Sequence, residues 1–501
     1  MFYSNIIMFD SSFSISYFSR RFPIVHKNMI SPKSGSSRLC ISKVRSDSGI
    51  GADDIRSPAV SRRMFISNIL KIVSISALSA TSLIAGFGFN PPSALGADKP
   101  FDGTEVRALV FRSLDGDYIA GTLAPRLKSE TGITLTVDQV PYEEVRAKQL
   151  ADRAGAKRYD ILNTTTEWSY EYRKFAAPLN DYIGKAGYPD IEADDIIPFV
   201  WKAFNPGKKI AWMPYQPDTR IFFYRADLLQ AAGIQPPKTW DELLAAAKAL
   251  TKPAADGKDA QYGFIFPGQR GWNLTLAWIP FVYAAGGDIF KDGKPAFDSQ
   301  AGVDALHLLI ELQKYSPPDV ISFGEHEVNQ SVLHGQVAMG VSASAITPEI
   351  EAPDSPIKGK VTSSGFPLQS ADTKPNHSAA LGGWAFGVSD YSKHKDAAAF
   401  VAMWLASRPI VTEMQTHGRQ HAARLSMAKD PGLLAVNPHI PAIVDILTNA
   451  EIFFRGSQGA AIGELLNVRV AQAVAGEMKP KEALDAAVGD INNYLSSHPG
   501  E

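Results

Sequence analysis

Residues 106–163 alternate strand and helix signals, and that alternation constrains the fold more than any other feature of the chain. Residues 106–111 are apolar and branched, 121–130 read as a helix, and 132–139 alternate through Ile-Thr-Leu-Thr-Val. A second helix over 143–154 leads to a third strand over 159–163. Strands separated by helices pair in parallel through crossovers, so the order β-α-β-α-β predicts an α/β fold with a doubly wound sheet. Ligands of such sheets sit in the loops beyond the carboxyl ends of the strands. Here those loops are 112–115, 140–142 and 164–168, which offer Arg112, Tyr142, Thr165 and Trp168 as candidate contacts.

The second informative stretch is 212–243. Ile221-Phe-Phe-Tyr224 favours a buried strand, a helix of about two turns follows, and Gly233 closes it. After Pro236-Pro237 comes Thr239-x-x-Glu242, the spacing of a capping box at a new helix start. Pro214 and Pro217 flank a segment that fits a passage between two lobes. Two lobes are expected on length as well, because about 400 residues exceed what one hydrophobic core serves. Further on, 262–266 read as a strand, 269–273 as a loop, and a helix runs to Ala285 before Gly286-Gly287. A glycine-bounded strand covers 381–388, Ser392 is placed to cap the next helix, and Pro480 starts a last helix with Ala483, Ala487, Ile491 and Leu495 facing a core.

The first 97 residues differ in kind. Residues 1–60 are Ser-rich, poor in carboxylates and without sustained periodicity, which fits a disordered leader or an upstream start, with Met29 as an alternative start. Residues 61–97 have the layout of a secretory signal: Ser-Arg62-Arg63-Met-Phe65, an apolar run over 69–89, and a small-residue end at Ala97. The paired arginines followed by Phe65 fit the twin-arginine export signal. Scattered Ser and Thr, Lys71 and the Pro91-Pro92 exit favour a cleaved signal over a membrane anchor. The expected destination is the periplasm.

Composition excludes several function classes. The chain has 50 Lys+Arg and 52 Asp+Glu, of which the first 97 residues hold 11 and 4, leaving 39 and 48 and a net charge of −9. An acidic chain of this kind argues against nucleic-acid binding. The one cysteine, Cys40, leaves with the leader, so neither a disulfide nor a thiolate metal site is expected. The chain contains no Walker loop, no His-Glu-x-x-His and no Gly-x-Ser-x-Gly elbow, since Gly340-Val-Ser-Ala-Ser344 lacks the last glycine. His417 and His421 have metal-pair spacing, but Gly418 weakens the helix between them and no third ligand follows. No cofactor, no metal and no catalytic residue is therefore expected. What remains is aromatic and polar loop residues: Trp168, Trp272 and Trp384 stand beside Gly, Glu or Asn, outside apolar runs. Flat rings suit the C–H face of a sugar, and planar polar groups suit vicinal hydroxyls. Trp201, Trp212, Trp240, Trp278 and Trp404 sit in helix or strand patterns and are expected in the core.

The segment YRADLLQAAGIQPPKTWDELLAAAKAL, from Tyr224, resembles the corresponding part of the family 1 extracellular solute-binding proteins of ABC importers, the group that includes maltose-binding protein. HGQVAMGVSAS, GGWAFGVSDYSKHKDAAAFVAMWLAS and EALDAAVGDINNYL resemble later parts of the family in the same order. The resemblance implies a two-lobe Venus-flytrap clamp with a hinge crossed several times. Lobe 1 would be 102–216 plus 383–425, and lobe 2 would be 217–382 plus 426–501. It implies a ligand-facing aromatic at Trp168 and cleft-lining positions at Arg112, Tyr215, Asp218, Trp272, Ser344 and Trp384. Asp218 is equally readable as a turn former after Pro217, and Arg455 either as a ligand contact or as a surface ion pair. It also implies a monomer that binds a carbohydrate or polyol and delivers it to an ABC permease. Residues 460–463, Ala-Ala-Ile-Gly, lack the aromatic kept there by maltose binders, which argues against a maltodextrin. The competing expectations are a polyamine or anionic solute in the same fold, or a secreted carbohydrate-active enzyme.

Overall fold

A computed structural model describes residues 99–254, 260–418, 423–452 and 458–498. The leader, the export signal, His421 and Arg455 lie outside the described residues.

The expected alternation produces β1 (Glu105–Phe111), β2 (Thr134–Val140) and β3 (Ile161–Thr165), with β1 central and parallel to both partners. Every residue of β3 is buried, as suits a strand covered on both faces. The helical connection from β1 to β2 begins at Leu114, ahead of the expected start at 121, and includes a π turn at Ile119–Leu123. The cause is Ser113, whose hydroxyl accepts from the Gly116 amide and caps the chain early. Gly132 ends the connection in the left-handed region, at φ 86°.

β4 (Met213–Arg225) is the longest strand described and serves both halves of the sheet. A two-residue hairpin, β5 (Phe290–Lys291) and β6 (Lys294–Pro295), stands apart. The remaining strands are β7 (Met339–Ala343), β8 (Val361–Ser364) and β9 (Leu381–Val388). β9 runs antiparallel to β3 on one side and to residues 213–219 of β4 on the other. From Arg220 onward β4 pairs instead with β7, and from Phe222 also with β8. The register slips between Pro214 and Gln216, where Pro214 and Pro217 supply no amide to the ladder. Close approach of β9 to β4 needs glycine: at Gly383 (φ 110°) a Cβ would run into the Gln216 carbonyl and Pro217 Cα.

Two hydrophobic cores flank this strand. The first gathers the β1–β3 layer, Tyr215 and Ile221 of β4, most of β9, and the helix Lys395–Ala406. The second gathers Phe222 and Phe223 of β4, the helices Trp240–Leu250 and Trp272–Ala284, β7, and the C-terminal pair Gly459–Val474 and Pro480–Ser497. The capping box at Thr239 and Glu242 forms as expected, with each side chain accepting from the other residue's amide. Residues 427–450, expected with the second lobe, contribute Met427, Leu433, Ile440 and Leu447 to the first core. The apolar face of the helix Ile440–Thr448 packs there, and Ala450 and Ile452 after it still pack against the first core. Residues 262–266 are not a regular strand, although Ile265 both donates to Met339 and accepts from Val341 along β7. Trp212, Trp240, Trp278 and Trp404 are buried as expected, and Trp201 is half-buried against the first core.

Candidate functional site

The carboxyl ends of β1, β2 and β3 bring four aromatic rings together. Trp384, on β9 opposite Thr165, stacks face to face on Phe111 with centroids 4.2 Å apart. Trp168 meets Trp384 edge-on at 5.9 Å, and Tyr142 meets it edge-on at 5.8 Å. Tyr142 and Trp168 lie 5.6 Å apart, which closes the cluster. Trp168 and Trp384 are each 8% exposed, whereas Tyr142 is 41% exposed.

Polar groups collect beside these rings where β4 crosses between the cores. Gln216 and Asp218 are half-buried and alternate with the buried Tyr215, Pro217 and Thr219, as the pleat of a strand requires. Ser344 Oγ donates to Asp218 Oδ1 at 2.6 Å and accepts from the Thr219 amide at 3.3 Å, so the end of β7 is tied to the crossing strand. Arg220, 5% exposed, donates to Glu325 Oε2 and to Asn273 Oδ1, both at 2.6 Å. Glu325 in turn accepts from Ser342 Oγ and the Ala343 amide. On the other side, Glu167 sits beside Trp168 in the first turn of the helix Thr166–Tyr172.

Burial pushes the Glu167 carboxyl up. The nearby Thr165 and Thr166 hydroxyls and its own amide oppose the rise, and the charge of Asp218 adds to it. Burial likewise pushes Asp218 up, against the guanidinium of Arg220 and the Ser344 hydroxyl. Glu167 Oε2 and Gln216 Oε1 are buried acceptors without a hydrogen-bond partner. A buried acceptor left unpaired costs about 1–3 kcal/mol, so the arrangement is costly unless something supplies protons to it.

The structure thus gathers Tyr142, Thr165, Trp168 and Trp384 at the strand ends, and Asp218 with Ser344 at the crossing. Trp272 stands at the start of the helix Trp272–Ala284, half-buried against the second core and next to Asn273. Arg112 is exposed at the end of β1, with its amide bonded to the Val140 carbonyl at 2.6 Å. Tyr215 is 1% exposed, stacks on Phe386 at 4.1 Å and accepts from Asn163 Nδ2. Sequence reasoning missed Phe111, Glu167, Gln216, Arg220, Asn273 and Glu325. Period-two counting from Asp218 would have found Gln216, whereas Arg220 and Glu325 meet only through tertiary folding, 105 positions apart.

The sequence model of the family described as bacterial extracellular solute-binding protein matches residues 118–409, more than half of the chain. The chain belongs to that family. A "Probable amino-acid ABC transporter periplasmic-binding protein" of Sinorhizobium fredii is 28% identical over 417 residues, 81% of this chain and 93% of that protein. The "Mannitol-binding protein" of Pseudomonas aeruginosa is 26% identical over 332 residues, 60% of this chain and 73% of its own length. The crystal structure of a solute-binding protein from Agrobacterium radiobacter K84 in complex with ribitol superposes with a TM-score of 0.69 at 28% identity. That match covers 79% of this chain and all of the other. As a solute-binding protein of this family, the chain has the two-lobe fold, its lobes built on the two cores around β4. Among the described residues no three His, Cys, Asp or Glu side chains group as a metal site, and no helix is long and apolar enough to cross a membrane.

Proposed function

We propose that the chain is the substrate-binding component of an ABC importer and binds a carbohydrate or polyol between its lobes. The observation that carries this reading is the juxtaposition of an aromatic platform, Trp168, Trp384 and Tyr142, with half-buried acceptors at Glu167, Gln216 and Asp218. Rings take the C–H faces of a sugar or polyol and the acceptors take its hydroxyls. The mannitol-binding relative and the ribitol complex support the same class of ligand. Tyr142, Thr165, Trp168, Asp218, Trp272, Ser344 and Trp384 are the proposed ligand contacts, with Arg112 at the rim. The lobes close on the solute about β4 and β9, because only the closed state lets it touch both. The protein acts in the periplasm as a monomer without catalytic turnover. It reaches the periplasm by the Arg62-Arg63 signal, with cleavage near Ala97, and delivers its solute to a membrane permease.

A thermal-shift screen of the purified protein over pentitols, hexitols, mono- and disaccharides, amino acids and polyamines tests the reading. A sugar or polyol is expected to stabilise the protein, to remain chemically unchanged, and to reduce the radius of gyration in small-angle scattering. Stabilisation by amino acids alone, in line with the wording used for the Sinorhizobium relative, would replace it with an amino-acid reading.

A further inference from the structure

The acceptors around Asp218 carry information about the charge of the solute, an inference that rests on the polyol reading above. Trp384 is paired with Thr165 on one side and with Gln216 on the other, which sets Glu167 and Asp218 beside the same rings, and the charge of Asp218 acts on Glu167. The cation beside them on β4, Arg220, is already committed to Glu325 and Asn273. Summed over Glu167, Asp218, Arg220 and Glu325, three carboxylates oppose one guanidinium. Arg112 adds a positive charge at the rim, but it is exposed, and a solvated charge counts for much less than a desolvated one. The unpaired atoms are of one kind as well. Glu167 Oε2 and Gln216 Oε1 are both acceptor oxygens, buried and without a donor.

We infer that the cleft is a proton-accepting, anion-rejecting site in which Glu167 sets specificity, favouring a polyol that carries an amino group over the neutral polyol, and both over the corresponding acid. Hydroxyl and ammonium groups donate to Glu167 and Asp218, and an ammonium also offsets their charge. A carboxylate or phosphate brings a third acceptor and a like charge into a desolvated pocket, and both effects oppose binding. The upward push of burial on the pKa of both Glu167 and Asp218 agrees, since a cationic donor beside them offsets what desolvation costs their charged forms.

The test uses three probes that differ at one terminal group: ribitol, 1-amino-1-deoxyribitol and ribonate, titrated calorimetrically at neutral pH into the protein and into Glu167→Gln. The unmodified protein should bind ribonate at least ~10-fold more weakly than ribitol, and the amine more tightly than ribitol. Glu167→Gln keeps the shape but removes the charge, so it should narrow the gap between ribonate and ribitol and abolish the advantage of the amine. Ribonate binding as tightly as ribitol would overturn the inference while leaving the polyol reading intact. An unchanged ranking in Glu167→Gln would overturn the role of that residue. No binding of any of the three, with binding of an unrelated solute class in the wider screen, would remove the polyol reading and this inference with it.

Discussion

Replacing Trp168 with alanine separates the roles its ring can play. From the sequence, Trp168 is a platform whose loss weakens binding and leaves the empty protein's melting nearly unchanged. The structure changes the second half of that expectation. The ring is 8% exposed and lies against Trp384 at 5.9 Å, Tyr142 at 5.6 Å and Tyr172 at 6.4 Å. Truncating a buried tryptophan typically costs about 3–5 kcal/mol, part of it from the cavity left behind. For about 400 residues unfolding together, an unfolding entropy near 2 cal/mol/K per residue converts that loss to roughly 4–6 °C in Tm. If the ring also stacks on the solute, binding should weaken by a further ~2 kcal/mol or more, about 30-fold. Differential scanning calorimetry without solute and titration calorimetry with the solute found in the screen read the two effects separately. Trp168→Phe keeps a flat apolar ring and should recover much of both losses. A variant that melts several degrees lower yet binds with full affinity would make Trp168 a core plug and refute its place in the site. Unchanged melting together with unchanged binding would refute the packing argument as well.

Glu167→Gln should raise the Tm of the empty protein at neutral pH. The folded-state pKa of Glu167 is pushed up by burial, so the folded form holds the proton more tightly than the unfolded chain. Its favourable contribution therefore exists in acid and is lost as pH rises from the ordinary carboxylate range through the raised value. Tm measured against pH for both proteins should converge in acid and separate toward neutrality, and a lower Tm for the variant at neutral pH would contradict the account. Gly383→Ala should destabilise the protein by about 1–3 kcal/mol, because the residue sits at φ 110° and a Cβ would meet the Gln216 carbonyl. Urea unfolding measures it, and an unchanged midpoint would mean that β9 and β4 have room to separate. Replacing Arg62 and Arg63 together with lysine should leave uncleaved precursor in the cytoplasm, and normal periplasmic levels after cell fractionation would rule out the twin-arginine route.

The sequence by itself determined the local elements and the class of fold. Periodicity and breakers gave the parallel β1–β3 unit with its crossovers. Thr239 and Glu242 fixed a helix start, because a capping box needs only residues three apart. The strand-end loops likewise pointed to Trp168 and Thr165, since in a doubly wound sheet the binding end follows from strand direction alone. Only the tertiary structure decided what those loops face. Which residues of β4 lie beside the rings depends on the register slip between Pro214 and Gln216, since one slip exchanges the two faces of a strand. The early start of the helical connection depends on the backbone at Ser113, and the core that residues 427–450 join depends on which one offers room for Ile440 and Leu447. The charge of the candidate site was the least legible. It arises where Glu167, Asp218, Arg220 and Glu325 converge from three segments, and no local pattern records a desolvation that only folding creates.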